Sequence, residues 1–343
     1  MDALAFRTRW YPSYLQPDST AGLFELILWR EQQAQKNLGD NLVATIGDSR
    51  FGIAPKLSND LANETGYTFR SAGVAGTDPR SWYYMLRDLD PTARRYRAIV
   101  FGVNNYDDED EVFLPDDDIR ALHYCIARLR LTDALEFAGS FHDPNLRWQA
   151  FRGTLLKGLV YQADFHEFLS NPAKRIRRIR RDHRGYEEWT YAYVGSDVSM
   201  AGLEIDWKTL AAKLPPGADD NQLSTVQSFL LRPPVPQTGR LAAFRREWLG
   251  RILDRYRGSR TRMIFLRLPR GPIPRPAFLA RSTGSIVREL ALRPNVMLVD
   301  EHAFDALEHP WLFHDGMHMN KPGVELFSTM LAREIARMLG APE

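Results

Sequence analysis

The chain has 343 residues, of which 44% are hydrophobic and 26% charged, a composition that allows a sizeable core and argues against disorder. The formal net charge of +2 does not indicate a nucleic-acid-binding protein, and one cysteine, Cys125, excludes an intramolecular disulfide. The longest apolar stretch near the start, residues 21–29, is too short to cross a bilayer, so a soluble chain is expected. The compartment is left open. It would be extracytoplasmic in a bacterium if an N-terminal anchor had been removed.

Short apolar runs alternate with helical patterns along the chain. A lead-in of residues 1–40 contains a predicted helix from Ser19 to Lys36. Most of the predicted strands are near-continuously apolar, which is typical of a parallel sheet buried on both faces: Leu42–Ser49, Tyr67–Val74, Ala98–Asn104, Met263–Pro269 and Val296–Glu301. The predicted helices between and after them are Pro55–Thr65, Pro79–Leu89, Leu241–Tyr256, Pro276–Leu292 and Pro322–Leu339. This alternation predicts a single-domain α/β sandwich with right-handed crossovers.

The third and fourth predicted strands are separated by far more residues than one crossover needs. Residues 140–238 are therefore interpreted as a large helical insertion, a lid or subdomain over the carboxyl edge of the sheet. Its basic run, Lys174–Arg184, is interpreted as a solvated helix or as a contact for an anionic polymer or membrane surface. Nucleic acid is not expected, because no recognition motif accompanies the run. The aromatic residues just downstream are expected to pack in the core or lid, with stacking on sugar rings as the alternative: Trp189, Tyr191 and Tyr193.

Two short segments carry the residue types that acyl transfer needs. GDSR follows the first predicted strand and places Ser49 just past a strand's carboxyl end, where α/β sheets bind ligands. A serine hydroxyl becomes a good nucleophile only when a base removes its proton. DGMH precedes the last predicted helix, and its spacing lets Asp315 fix the imidazole tautomer while His318 reaches the serine.

Acyl transfer also needs hydrogen-bond donors aimed at the developing oxyanion. The candidates are the backbone N–H of Ser49, the backbone N–H of Gly76 in SAGVAG, and the side-chain amide of Asn104 in FGVNN. Gly73 is the alternative to Gly76 as the glycine whose missing side chain permits a close approach of the backbone.

The segments GDSR, SAGVAG, FGVNN and DGMH follow the order and spacing of the four blocks of SGNH (GDSL-like) hydrolases. The chain resembles this family over residues 42–110 and 262–338, whereas the insertion is unmatched. The resemblance implies a three-layer flavodoxin-like sandwich whose five-stranded parallel sheet has the order 2-1-3-4-5. It implies a serine esterase or O-acyltransferase acting on an acetyl or other acyl ester of a carbohydrate or small molecule, with no cofactor.

Carried over residue by residue, the resemblance makes Ser49 the nucleophile, with Asp315 and His318 completing a catalytic triad. Gly76 and Asn104 would form the oxyanion hole together with the Ser49 amide.

The chain departs from the family pattern at two positions. Asn105 occupies the place of an Asp in the third block, and Arg50 follows the serine. Asp48, Arg50 and Asn105 are therefore treated as supporting residues. GDSR together with HDGMHMNKPG is similar to a bacterial subgroup linked to O-acylation of cell-surface polysaccharides.

Two alternatives remain beside this interpretation. The chain would be a weakly active or non-catalytic glycan-binding component of a polysaccharide modification or export system if the insertion, rather than the serine, carries its role. His314 and His318 also have the i, i+4 spacing of a metal site, but no Glu follows the first His as in HExxH, so no metal is expected.

Overall fold

The computed structural model describes residues 2–8, 10–36, 39–110, 115–185, 191–276, 279 and 284–342. The chain divides into two compact units. The helical unit comprises Met1–Asn37, Gly76–Pro91 and Leu114–Trp189, and the sheet unit comprises Leu38–Ala75, Thr92–Phe113 and Thr190–Glu343. The predicted insertion, residues 140–238, is shared between the units, because the chain passes from one to the other after Trp189.

Helices and strands alternate in the first third of the chain, and helices outnumber strands among the described residues that follow. The α-helices within the described residues are α1 (Thr20–Ala34), α2 (Ser58–Thr65), α3 (Pro79–Leu89), α4 (Pro115–Ile126), α5 (Ala134–Gly139), α6 (Pro144–Leu155), α7 (Gln162–Ser170), α8 (Pro172–Arg184), α9 (Asp220–Thr225), α10 (Arg240–Arg255), α11 (Ile286–Leu290) and α12 (Lys321–Leu339). The strands are β1 (Leu42–Ile46), β2 (Thr68–Ser71), β3 (Ala98–Val103), β4 (Glu204–Asp206), β5 (Ala211–Lys213), β6 (Arg262–Arg267) and β7 (Val296–Leu298).

The sheet unit is built on a parallel five-stranded sheet with the order β2-β1-β3-β6-β7. In its centre, Val43 of β1 pairs with Phe69 of β2 on one side and Ala98 of β3 on the other. β4 and β5 form a separate antiparallel hairpin, so the order is 2-1-3-4-5 when the strands of this sheet alone are counted. The flavodoxin-like α/β class and the strand order expected from the sequence are confirmed.

Every residue of β1 and of β3 is buried, as the continuous apolar runs predict. Alternate residues of neighbouring strands, Val43, Val100 and Ile264, belong to one apolar cluster with Leu331 and Ile335 of α12. Because side chains alternate between the two faces of a strand, this cluster covers one face of the sheet, and α12 packs on that face.

Capping residues set the boundaries of several helices. Ser19 accepts a hydrogen bond from the Gly22 N–H at 3.0 Å at the start of α1. Gly66 closes α2 with a φ of +74°, a conformation that glycine adopts without strain. Asn320 caps α12 through the Gly323 N–H at 3.1 Å.

The predicted helix Pro276–Leu292 is wrong in its extent. Helix α11 begins only at Ile286, because the Ser285 side chain accepts a hydrogen bond from the Arg288 N–H and stops the helix from extending backward. Residues 277, 278 and 280–283 of the predicted helix lie outside the described residues.

The helical unit contains charged side chains that are buried as ion pairs. Arg128 binds Glu25 of α1 and Asp88 of α3, and Arg80 of α3 binds Asp118 of α4 at 2.6 Å. These pairs connect helices that are distant in sequence. Among the described residues, no helix has the length and apolar character needed to cross a bilayer.

Candidate active site

A tight turn after β1 carries Ser49. The Phe51 N–H donates to the Asp48 carbonyl at 3.2 Å, and the Arg50 N–H donates to the Asp48 carboxylate at 2.9 Å. Gly47 precedes the turn, and a Cβ there would lie 2.8 Å from the Cβ of Phe51. Glycine is therefore required for Phe51 to pack beneath the turn, and Ser49 lies at the carboxyl edge of the sheet.

A second turn, between Phe313 and Met319, carries His318. These two residues form an antiparallel bridge, and within it the His314 N–H donates to the His318 carbonyl at 2.8 Å. Helix α9 supports the turn, since the Thr225 hydroxyl accepts the Gly316 N–H at 2.9 Å. A Cβ on Gly316 would lie 2.6 Å from the backbone of α9, so a side chain at this position would displace the turn.

The two turns bring Ser49, His318 and Asp315 into one series of hydrogen bonds. The Ser49 Oγ lies 2.9 Å from the His318 Nε2, and the His318 Nδ1 lies 2.8 Å from the Asp315 Oδ2. The second Asp315 oxygen accepts the backbone N–H groups of Met317 and His318, each at 2.8 Å. The imidazole is thus fixed from both sides, with Nδ1 toward the carboxylate and Nε2 toward the hydroxyl.

Asp315 is buried, and burial alone would raise the pKa of its carboxyl group. The hydrogen bonds and the charge of His318, together with the N–H of Met317, outweigh this effect and lower the pKa below 3.8. A carboxylate that stays ionised stabilises a positive charge on the imidazole.

Arg50 connects the serine turn with the end of β3. Its guanidinium binds the Asp48 carboxylate, with Nη2 at 2.5 Å and Nε at 3.1 Å, and Nη2 also donates to the Asn104 Oδ1. Burial would raise the pKa of Asp48, but the charge and hydrogen bonds of Arg50 lower it. Because Oδ1 of Asn104 is bound by Arg50, the amide NH₂ is the group that Asn104 can offer to a ligand.

Two tyrosines, Tyr191 and Tyr193, pack on the serine turn and were not included in the sequence-predicted site. The Tyr193 ring stacks on the His318 imidazole with a centroid distance of 4.3 Å and an interplanar angle of 22°. Its hydroxyl donates to the Ser49 carbonyl, and burial raises its pKa, so it remains a neutral donor. Tyr191 stacks on Tyr193 at 5.4 Å, and its hydroxyl accepts the Ala75 N–H at 2.7 Å. The expected packing role for these tyrosines fits these contacts, whereas Trp189 lies outside the described residues.

The glycine packed against the serine turn is Gly73. A Cβ there would lie 2.3 Å from the Phe51 carbonyl and 2.9 Å from the Asp48 carbonyl, both backbone atoms. Gly76 has a φ of +65°, and a Cβ there would contact the Arg120 side chain. The close approach thus belongs to Gly73, the alternative in the sequence reasoning, and the oxyanion role of Gly76 stays a prediction.

Asn105 and the acidic residues after it form a turn that is held by hydrogen bonds and an ion pair. The Asn105 amide donates to Glu109 at 3.2 Å, and its oxygen accepts the Asp107 N–H at 3.3 Å. Asp108 is buried and pairs with Arg245 of α10 at 2.8 Å. Asn105 therefore supports the turn after β3. Through the described residue 110, the acidic residues of this turn are therefore held by contacts within the protein.

His314 lies beside the hydrogen-bonded series and not within it. Its carbonyl accepts the Gln222 amide at 2.7 Å, and its ring lies 6.5 Å from that of Tyr193. Within the described part of the chain, no group of three or more His, Cys, Asp or Glu side chains is arranged to hold a metal ion.

Comparison of the chain with protein-family models gives no match, and comparison with curated proteins also gives none.

Proposed function

We propose that the chain is a serine esterase or O-acyltransferase of the SGNH type, with Ser49 as nucleophile, His318 as general base and Asp315 as the group that orients the base. The observation that carries the proposal is the series of hydrogen bonds at 2.9 Å and 2.8 Å linking residues that are 269 and 3 positions apart in sequence. Such an arrangement activates a serine hydroxyl at neutral pH.

In the proposed reaction, the His318 Nε2 removes the proton from the Ser49 Oγ as the oxygen attacks the carbonyl carbon of an ester. The tetrahedral intermediate collapses when the imidazolium returns this proton to the leaving alkoxide oxygen. The resulting acyl-Ser49 ester is then attacked by water or a sugar hydroxyl, whose proton passes to His318 and then to Ser49. Water as acceptor makes the protein an esterase, and a sugar hydroxyl makes it a transferase.

The carbonyl oxygen becomes negatively charged in both steps and needs hydrogen-bond donors. We assign this role to the Ser49 N–H and the Asn104 amide, with the Gly76 N–H as the third donor implied by the family resemblance. The contact from Arg50 to the Asn104 oxygen supports the assignment, because it leaves the amide NH₂ available as a donor.

The substrate class is an acyl ester of a carbohydrate or another small molecule. The motifs around Ser49 and His318 favour an O-acetylated or O-acylated polysaccharide, by similarity to the subgroup that modifies cell-surface polymers. No cofactor takes part in the proposed chemistry.

The proposal is tested with a fluorophosphonate probe and p-nitrophenyl acetate on the wild-type protein, Ser49→Ala and His318→Ala. We expect wild type to be labelled and to turn over, Ser49→Ala to do neither, and His318→Ala to lose about 10³-fold or more in kcat. Equal labelling and hydrolysis by wild type and Ser49→Ala would refute the assignment. Glycan binding that survives Ser49→Ala, with no turnover of any ester by wild type, would instead support the alternative that the chain is a glycan-binding component of a polysaccharide modification or export system.

A further inference from the structure

We propose that Tyr193 is a positioning residue that holds both the base and the nucleophile turn, an inference that depends on the proposed function of Ser49 and His318. Tyr193 makes two separate contacts: its ring stacks on the imidazole at 4.3 Å, and its hydroxyl donates to the Ser49 carbonyl. The phenol thus connects directly to both reacting partners.

The two contacts constrain different motions. Hydrogen bonds at Nε2 and Nδ1 fix the imidazole within its plane, and the stacked ring opposes tilting out of that plane. The aromatic face also stabilises the positive charge that His318 acquires during the reaction. The hydroxyl contact restrains the backbone at Ser49, so that the Oγ remains 2.9 Å from the base.

Tyr193 is itself held in place by its neighbour. Tyr191 stacks on it with an interplanar angle of 6°, and the Tyr191 hydroxyl binds the loop after β2 through the Ala75 N–H. The pair therefore forms a stack of three rings, Tyr191, Tyr193 and His318, joined to the two loops that follow β1 and β2.

The variants Tyr193→Phe and Tyr193→Leu separate the two contacts. Tyr193→Phe keeps the stack and loses the hydroxyl, so we expect kcat to fall about two- to tenfold, the effect of one hydrogen bond. Tyr193→Leu loses both contacts, and we expect about a further tenfold loss in kcat. KM should change little in both, because Tyr193 is not assigned a contact with substrate.

A spectroscopic readout makes the test independent of turnover. A stacked phenol or phenyl ring shifts the NMR signals of the His318 ring protons upfield, so the shift should persist in Tyr193→Phe and disappear in Tyr193→Leu. The His318→Ala variant identifies these signals. An unchanged His318 spectrum in Tyr193→Leu, or equal kcat for wild type and both variants, would overturn the positioning role. Lack of any esterase activity in wild type would instead refute the proposed function and leave the spectroscopic test intact.

A different observation, the exposed surface of α8, carries a second inference. Five cationic side chains of this helix are exposed: Lys174, Arg177, Arg180, Arg181 and Arg184. At 100° and 1.5 Å per residue they lie within about 120° of the circumference and extend about 15 Å along the axis. We call this set the α8 basic stripe.

The opposite side of α8 is fixed in the helical unit. Arg175 is buried and pairs with Asp164 at 3.1 Å, Ile179 is buried, and the His183 ring stacks on Trp29 at 3.9 Å. The α8 basic stripe therefore lies on the solvent-exposed side of the helix. Within the described part of the chain, Arg181 is the one member with an ion pair, formed with Asp182.

The helical unit also exposes an unusual number of large apolar side chains. It contains ten of the fifteen such side chains among the described residues, although it is the smaller unit. Trp10 and Trp148 are 49% and 59% exposed. A bilayer surface offers partners for both the exposed cationic and the exposed apolar side chains of this unit, whereas a soluble polyanion needs the charges alone.

We infer that the helical unit binds the surface of an anionic phospholipid bilayer through the α8 basic stripe. The test is co-sedimentation with phosphatidylcholine vesicles containing increasing phosphatidylglycerol. The variant Lys174→Gln/Arg177→Gln/Arg181→Gln is compared with a control that removes three exposed charges from the sheet unit, Arg246→Gln/Arg257→Gln/Arg337→Gln.

We expect binding to rise with phosphatidylglycerol, to fall steeply with salt, and to weaken about a hundredfold in the stripe variant but much less in the control. Equal binding by the two triple variants would overturn the inference. So would binding to heparin without binding to the anionic vesicles, an outcome that would assign the stripe to a soluble polyanion.

Discussion

Among the single residues of the site, Arg50 carries a planar guanidinium whose hydrogen-bond donors, which we call its fork, hold two neighbouring side chains. It binds the Asp48 carboxylate and the Asn104 oxygen at the same time, so it fixes the orientation of the amide that we assign to the oxyanion hole. Nη2 contacts both partners, and the additional contact from Nε to Asp48 fixes the plane of the guanidinium. A lysine keeps the charge but presents one nitrogen, so it loses this additional contact and the fixed orientation.

We therefore expect Arg50→Lys to lower kcat by about ten- to a hundredfold, less than the roughly 10²–10³-fold cost of removing an oxyanion donor. The measurement is steady-state hydrolysis of p-nitrophenyl acetate. Arg246→Lys, at an exposed pair with Glu289, is the matched control and should retain wild-type kcat. A wild-type kcat in Arg50→Lys would show that the fork does not orient Asn104.

The lowered pKa of Asp315 predicts how stability depends on pH. A carboxyl group whose pKa is lower in the folded protein stabilises the fold above its unfolded pKa, near 3.8, and this stabilisation is lost as pH falls through the folded value. Asp315→Asn keeps an oxygen for the N–H groups of Met317 and His318 but removes the charge.

The difference in free energy of unfolding between wild type and Asp315→Asn should thus be largest near neutral pH and shrink below pH 3.8. Urea unfolding at a series of pH values measures it. A difference that stays constant or grows toward acid pH would contradict the lowered pKa.

Some residues of the site are recognisable from the sequence and others are not. Ser49, Asp315 and His318 stand in short motifs at the ends of predicted elements, so their meeting follows from the parallel topology. Tyr193 stands in no such motif, because its role depends on a loop 144 residues from Ser49 folding back onto it. The pair of aromatic residues two positions apart after the basic helix, Tyr191 and Tyr193, is the feature of the sequence that could have indicated a contact with the site.

At the scale of elements, the loop after β2 lies close against the serine turn at Gly73. A Cβ there would overlap backbone atoms of Phe51 and Asp48, which cannot rotate away. We expect Gly73→Ala to destabilise the protein by about 1–3 kcal/mol, as overpacking does, and to lower kcat by displacing Ser49.

Thermal unfolding and esterase activity of the same sample measure both effects. Gly250→Ala within α10 is the control, since no atom beyond the adjacent residues and backbone of its own helix lies within 4 Å of a Cβ there, and it should be neutral or stabilise by up to about 1 kcal/mol. Wild-type activity and stability in Gly73→Ala would show that the loop tolerates a side chain.

The elements themselves were predictable where burial or capping gives a clear signal. The strands β1 and β3 are almost entirely apolar and buried, and β6 is apolar and buried between its terminal arginines. Helices α1, α2 and α12 begin or end at recognisable capping residues. Helix α11 was predicted too long, because an amphipathic pattern alone does not reveal that Ser285 caps the helix at Ile286.

At the scale of the whole molecule, the sheet is assembled from distant parts of the chain. β1, β2 and β3 come from residues 42–103, and β6 and β7 come from residues 262–298. The sequence predicted this order through the resemblance of its motifs. It did not predict the division into two units, because that division depends on long-range contacts and the chain passes between the units several times.

The separate segments of the sheet unit consequently depend on one another. A fragment of residues 190–343 contains β6 and β7 but lacks the strands at the centre of the sheet. We expect it to show no cooperative thermal transition by circular dichroism, whereas the full chain should show one. A cooperative transition in the fragment would mean that this part folds without β1 and β3.

The proposed function requires that two turns far apart in sequence form one catalytic centre at Ser49. It is tested most directly by intact-mass analysis and peptide mapping after rapid mixing with a panel of acyl donors. We expect a covalent acyl group on the peptide that contains Ser49, absent in Ser49→Ala and greatly reduced in His318→Ala. Donor turnover with no adduct on Ser49, or with the same adduct in Ser49→Ala, would contradict it.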